Sequence, residues 1–176
     1  MIEQTNEVID LARWALEYYV KKLEIPKPEL TDLYLNEPSG VFVTLKEHGN
    51  LRGCIGVIEP TDTLENNIIK SAVDSALHDW RFQPVQPHEI DSLEIEVSVL
   101  SRPKETQLGD IIMGEHGLII EGFDKRALYL PQVATEQSWT FDEWLSSLCE
   151  KATLSSLFWK TNDVKFFTFT AQVIHG

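Results

Sequence analysis

Residues 40–60 read GVFVTLKEHGNLRGCIGVIEP. The run from Val41 to Leu45 is β-prone, His48, Gly49 and Asn50 carry turn chemistry, and residues 51–58 return as a second strand. This predicts a β-hairpin. Asp62 and Thr63 follow as caps for a helix from Leu64 to about His78, with Leu64, Ile68, Ala72 and Ala76 on its buried face. After the proline-bearing loop DWRFQPVQPHEI, the segment SLEIEVSVLS alternates as a strand.

The same order recurs downstream. HGLIIEGFDKRALYLPQ gives an apolar run, a turn at residues 122–125 and a returning strand. Thr140 and Glu143 form a capping box for a helix to about Ala152, and VKFFTFTAQVI closes the chain as a further strand. Upstream, Val8, Leu11, Ala12, Ala15, Tyr19 and Leu23 recur at helical spacing, so residues 3–23 form an amphipathic helix that Pro26 and Pro28 terminate. The expected fold is α+β: two repeated hairpin–helix–strand units, about 38–104 and 110–176, sharing a mostly antiparallel sheet, plus the N-terminal helix. No linker divides the halves, so residues 1–176 read as one domain.

The chain has 176 residues, 43% of them hydrophobic, and a net charge of −13. The size suits one folded core and the acidity argues against a nucleic-acid partner, which needs a basic face. No apolar run is long enough to cross a bilayer and the N-terminus is acidic rather than signal-like. A cytoplasmic setting with reduced thiols at Cys54 and Cys149 is the expectation.

Chemistry concentrates in LRGCIG, residues 51–56. Strand alternation puts Arg52, Cys54 and Gly56 on one face, where a guanidinium near the sulfur favours thiolate. Gly53 and Gly56 open room beside it. The structural alternative is a buried, inert cysteine with glycines accommodating a crossing helix. Glu94, Glu96 and Ser98 share a face of the later strand; a bidentate Arg52–Glu96 pair would consume the charge that activation of Cys54 requires. Which partner Arg52 takes stays open in the sequence.

Asp79 and Arg81 stand at a helix end, where arginine suits the dipole and aspartate does not, so Asp79 has a specific partner or orders the loop backbone. His116, between glycines at a strand start, is the candidate acid or base, against the alternative of a backbone-bonded turn residue. Cys149 lies on an apolar helix face and reads as core. Cys54, His116 and Cys149 lack the local spacing of a metal site, and no phosphate loop, dinucleotide motif or nucleophile elbow is present, so no metal or cofactor is implied.

GVFVTLKEHGNLRGCIG with DWRFQPV, LEIEVSVLS, GEHGLII, LPQVA and CEKA resembles the AMMECR family, of the "AmmeMemoRadiSam system protein A" type. The likeness spans about residues 11–174, with LRGCIG as its hallmark. Trp80 departs from it, since the family usually carries proline there. The resemblance implies a single α+β domain of two repeated units around a barrel-like sheet. It transfers no catalytic residue. Arg52, Gly53, Cys54 and Gly56 match the hallmark; Asp79, Arg81, Glu96, Ser98, His116, Gly117, Pro131 and Gln132 match other motif positions. It also implies a setting beside a Memo-like protein and a radical-SAM protein.

Two functional classes follow. In the first, an accessory or binding module uses the LRGCIG strand as a rigid surface. Arg52, Gly53, Gly56, Asp79, Arg81, Glu96 and Gln132 are then the candidate contacts, with Arg52 and Arg81 suited to a small anionic ligand. In the second, Cys54 is a nucleophile, Arg52 its activator and His116 the proton carrier.

Overall fold

The computed structural model describes residues 2–29, 33–60, 62–161 and 163–176. In chain order the main elements are α1 (Ile2–Lys21), β1 (Gly40–Glu47), β2 (Asn50–Val57), α2 (Leu64–Leu77) and β3 (Leu93–Leu100). There follow β4 (Lys104–Thr106), β5 (Gly117–Gly122), β6 (Lys125–Tyr129), α3 (Val133–Glu136), α4 (Phe141–Lys151), β7 (Lys165–Phe169) and β8 (Ala171–His175). They divide into two compact units, one running to Leu100 and including Gln172–Gly176, the other Ser101–Ala171.

In the first unit the sheet order is β2-β1-β3-β8. Val41, Val43 and Leu45 of β1, with Ile95 and Val97 of β3, are buried against Leu64, Ile68 and Ala72 of α2 and Leu11, Ala15 and Leu16 of α1. Alternation therefore leaves Phe42, Thr44 and Lys46, with Glu94, Glu96 and Ser98, on the face away from the helices. His48 (φ 52°) and Gly49 (φ 76°) make the two-residue turn of the β1–β2 hairpin, the left-handed pair that such a short loop requires. The Thr63 hydroxyl accepts Asn66 N–H and starts α2, as the sequence predicts.

The second unit has the order β4-β7-β5-β6. Its core gathers Leu118 and Ile120 of β5, Leu145, Leu148 and Cys149 of α4, and Phe166 of β7. The Thr140–Glu143 capping box is present, and Phe123 (φ 50°) and Asp124 (φ 59°) turn the β5–β6 hairpin.

Antiparallel hairpin–helix–strand order thus recurs, but on two four-stranded sheets rather than one shared sheet, and the described residues form no closed barrel. The residues 164–174 that read as one strand form two, in different sheets: β7 pairs with β4 and β5, while β8 lies beside β3. The break falls at Thr170, whose carbonyl accepts Ser101 N–H at 2.9 Å and whose N–H donates to the Ser101 hydroxyl at 2.9 Å. Those local bonds replace ladder bonds, which hydrophobic alternation alone does not reveal. No helix among the described residues is long and apolar enough to cross a membrane.

Candidate functional site

The LRGCIG segment forms most of β2, an edge strand. A β-carbon on Gly53 would lie 2.0 Å from the carbonyl oxygen of Ser75, so glycine here lets the backbone of α2 lie directly on the strand. At this contact the buried Ser75 hydroxyl accepts Ile55 N–H at 2.7 Å and donates to Val43 O at 2.7 Å, bridging β1 and β2. A β-carbon on Gly56 would meet the Val41 carbonyl oxygen at 2.3 Å and the Phe42 ring at 2.4 Å, so backbone and ring together close the other end of the segment.

Asp79 and Arg81 close the open side of β2. The Asp79 carboxylate, 5% exposed, accepts Cys54 N–H at 2.9 Å and Arg81 N–H at 3.2 Å. Arg81 Nε and Nη2 grip it at 2.9 and 2.6 Å, and Nη2 also donates to Cys54 O at 3.1 Å. The bond from Arg81 is the main reason that the Asp79 carboxyl is held down at about 2. Between them the two side chains satisfy both backbone groups of Cys54, which an edge strand otherwise presents to solvent. The neighbouring Trp80 is 91% exposed.

The Cys54 side chain is half-buried, and Sγ accepts the Thr44 hydroxyl at 3.3 Å. Burial pushes the thiol up from its ordinary value; the Thr44 bond and the Arg81 charge pull the other way, while Asp79 and Glu96 add to the rise. Arg52 does not enter this balance. The β1–β2 register slips between Leu45 and Lys46, leaving Arg52 opposite no β1 residue. Such a bulge re-aims its side chain. The guanidinium binds Glu89 through two bonds of 2.9 and 3.2 Å and Gln83 O at 2.9 Å. Its partner is therefore neither Glu96 nor the sulfur, and it holds the Glu89 carboxyl below the usual range.

Glu96 instead binds Lys46 at 2.9 Å and lies 3.3 Å from the His175 ring, both through Oε2. It stands opposite Thr44, which stands opposite Cys54, so Cys54, Thr44 and Glu96 make one cross-strand row. Thr44, Ser75 and Glu89 are the site residues that sequence reasoning missed. Thr44 was readable in principle from its strand alternation; the other two act across the fold and leave no local pattern.

Two candidates lie in the second unit. His116 Nδ1 accepts Ile112 N–H at 3.1 Å, a local turn contact. Gln132 precedes α3 and offers its backbone carbonyl to the Thr135 hydroxyl at 2.7 Å. Cys149 is fully buried on α4 and burial raises its thiol as well. No cluster of three metal-ligating side chains occurs among the described residues.

Comparison with known proteins gives one consistent family. The AMMECR1 family model matches residues 9–174. A protein of Methanothermobacter thermautotrophicus is 38% identical, with 98% of this chain and 94% of that one aligned. One from Thermococcus kodakarensis is 42% identical over 94% of this chain and 87% of its own. The crystal structure of an uncharacterised protein from Pyrococcus horikoshii superposes with a TM-score of 0.84 at 40% identity, covering 94% of this chain and 88% of that one.

Proposed function

The chain belongs to the AMMECR1 family, and from that premise we propose that it is a binding module rather than a cysteine enzyme. The observation that carries the reading is the state of Cys54. Burial is the largest influence on the thiol and raises it, and the guanidinium nearest in sequence is committed to Glu89 and Gln83. A nucleophile needs the thiolate. A recognition surface needs only a sulfur fixed in place, which Thr44 and the Asp79–Arg81 clamp supply.

An anion directed at Arg52 and Arg81 would compete with Glu89 and Asp79. The surface we assign to a protein partner is therefore the exposed Trp80 beside Arg81, an arrangement rich in the residue types that dominate interface energetics. The partners we propose are a Memo-like protein and a radical-SAM protein of a shared modification pathway, on the family resemblance. Thr44 and Arg81 both favour thiolate, and this is what the enzyme alternative draws on.

The test is alkylation of Cys54 followed by intact mass in a Cys149→Ala background. The binding reading predicts slow labelling with a midpoint at or above about pH 8.5, unmoved by Arg52→Ala. A midpoint below about 7 would restore the nucleophile.

A further inference from the structure

Helix α1 carries two faces. Val8, Leu11, Ala15 and Leu16 are buried in the core. Asp10, Arg13, Trp14 and Glu17 recur at i, i+3, i+4 and i+7 and so share another side. Lys22 (φ 55°) follows the helix in the left-handed conformation, which lets the chain reverse. The segment Ile25-Pro26-Lys27-Pro28 then runs back along that side, where Trp14 Nε1 donates to Ile25 O at 3.3 Å. Lys27 pairs with Glu65 in the first turn of α2 and ties this strap down. Ile25 and Lys27 each precede a proline, which favours extended, polyproline-type backbone at both.

Between α1 and the strap lies an open groove of about 300 Å³, lined by the four α1 residues of that side with Ile25, Pro26 and Pro28. Trp14 stacks on Tyr18 at 5.5 Å, and the exposed rings of Tyr18 and Tyr19 continue the aromatic surface along the helix. Arg13 gives its guanidinium to the carbonyls of Ile90 and Leu93. The carboxylates of Asp10 and Glu17 have no hydrogen bond or ion pair among the described residues.

We propose that this groove docks a proline-rich segment of a partner protein that carries Lys or Arg between its prolines. The chain's own strap displays the match: the carbonyl before a proline takes the Trp14 N–H, and the lysine between the prolines finds a carboxylate. Aromatic-lined grooves suit such segments because the proline backbone is already extended and loses little entropy on docking. The incoming rings pack on Trp14, Pro26 and Pro28, and the incoming cations meet Asp10 and Glu17. Two carboxylates outweigh one guanidinium in the groove, and the net charge of −13 steers a basic partner toward the chain. This surface shares no residue with the one assigned to Trp80 and goes beyond that reading.

Backbone and indole N–H shifts of the labelled full chain, titrated separately with the peptides PPKPPKP, GGKGGKG and PPEPPEP at constant ionic strength, test this. Saturable shifts at the Trp14 indole and at Asp10, Glu17 and Ile25 are expected with PPKPPKP. GGKGGKG keeps the charge without the extended backbone and should bind at least about tenfold more weakly. PPEPPEP keeps the backbone with the opposite charge and should also lose at least about tenfold. Glu17→Lys and Tyr18→Ala should each weaken PPKPPKP by about fivefold. Shifts that do not saturate, a response to either control equal to that of PPKPPKP, or unchanged affinity in both variants would overturn the site. If a variant fails to fold, the three-peptide comparison on the wild type still decides. Alkylation of Cys54 reports on the thiol alone, so the two readings fail separately.

Discussion

The carboxylate of Asp79 accepts the N–H of Cys54 at 2.9 Å while the guanidinium that grips it donates to the Cys54 carbonyl at 3.1 Å. One residue of an edge strand is thereby bonded on its open side by two side chains, as a further strand would bond it. The bonds tie the loop after α2 to β2 and keep the LRGCIG segment in one geometry.

Asp79→Asn should lower stability by about 3 kcal/mol, because it removes the charge that pairs with Arg81 and replaces one of the two acceptor oxygens, each of which takes a backbone N–H, with a donor. Urea unfolding at neutral pH measures it. The carboxyl of Asp79 lies below its unfolded value, at about 2. Its contribution is therefore fully present above about pH 4 and is lost as pH falls toward 2. Wild type should lose about 2 kcal/mol more than Asp79→Asn across that window. Parallel acid profiles for the two would refute the clamp.

Gly53→Ala should destabilise by about 1–3 kcal/mol, since the new methyl meets backbone rather than a movable side chain. Gly56→Ala meets the Val41 carbonyl oxygen as well as the Phe42 ring, so its cost should be similar. Thermal unfolding of both variants measures this, and a neutral Gly53 variant would contradict the close approach of α2 to β2.

Arg52→Ala should loosen residues 83–89 while leaving the Cys54 titration in place, because the guanidinium holds Glu89 and Gln83. Hydrogen exchange should show lower protection at Gln86, whose N–H donates to Glu89, and no change at Ile55. A shift in the Cys54 midpoint would mean that Arg52 acts on the sulfur.

Trp80→Ala should leave stability within about 0.5 kcal/mol, as expected for an exposed side chain. Binding to a Memo-like partner, measured by calorimetry, should weaken by at least about tenfold if Trp80 is a central contact. Unchanged affinity would move the partner surface elsewhere.

Local patterns made much of this fold readable. The Val41–Leu45 run, the His48–Gly49 turn and the Thr63 and Thr140 caps each act within a few residues, and each appears where the sequence places it. The split of the last strand at Thr170 was not readable, because it depends on Ser101, 69 residues away in sequence. Arg52 shows the same limit within the site. Simple alternation sets it beside Cys54, but one bulged residue turns it to Glu89. Asp79 was recognisable as needing a partner because it opposes the helix dipole, although the identity of that partner, the Cys54 backbone, came only with the fold.

The central claim is that Cys54 rests as a thiol. Its Cβ chemical shift, followed by carbon-13 NMR from pH 5 to 11 in Cys149→Ala protein labelled at cysteine, reads the protonation state directly. A single transition above the ordinary thiol range, moving higher in Thr44→Val, is the predicted result. A transition below about pH 7 that disappears in Arg52→Ala would contradict the account and make Cys54 a nucleophile.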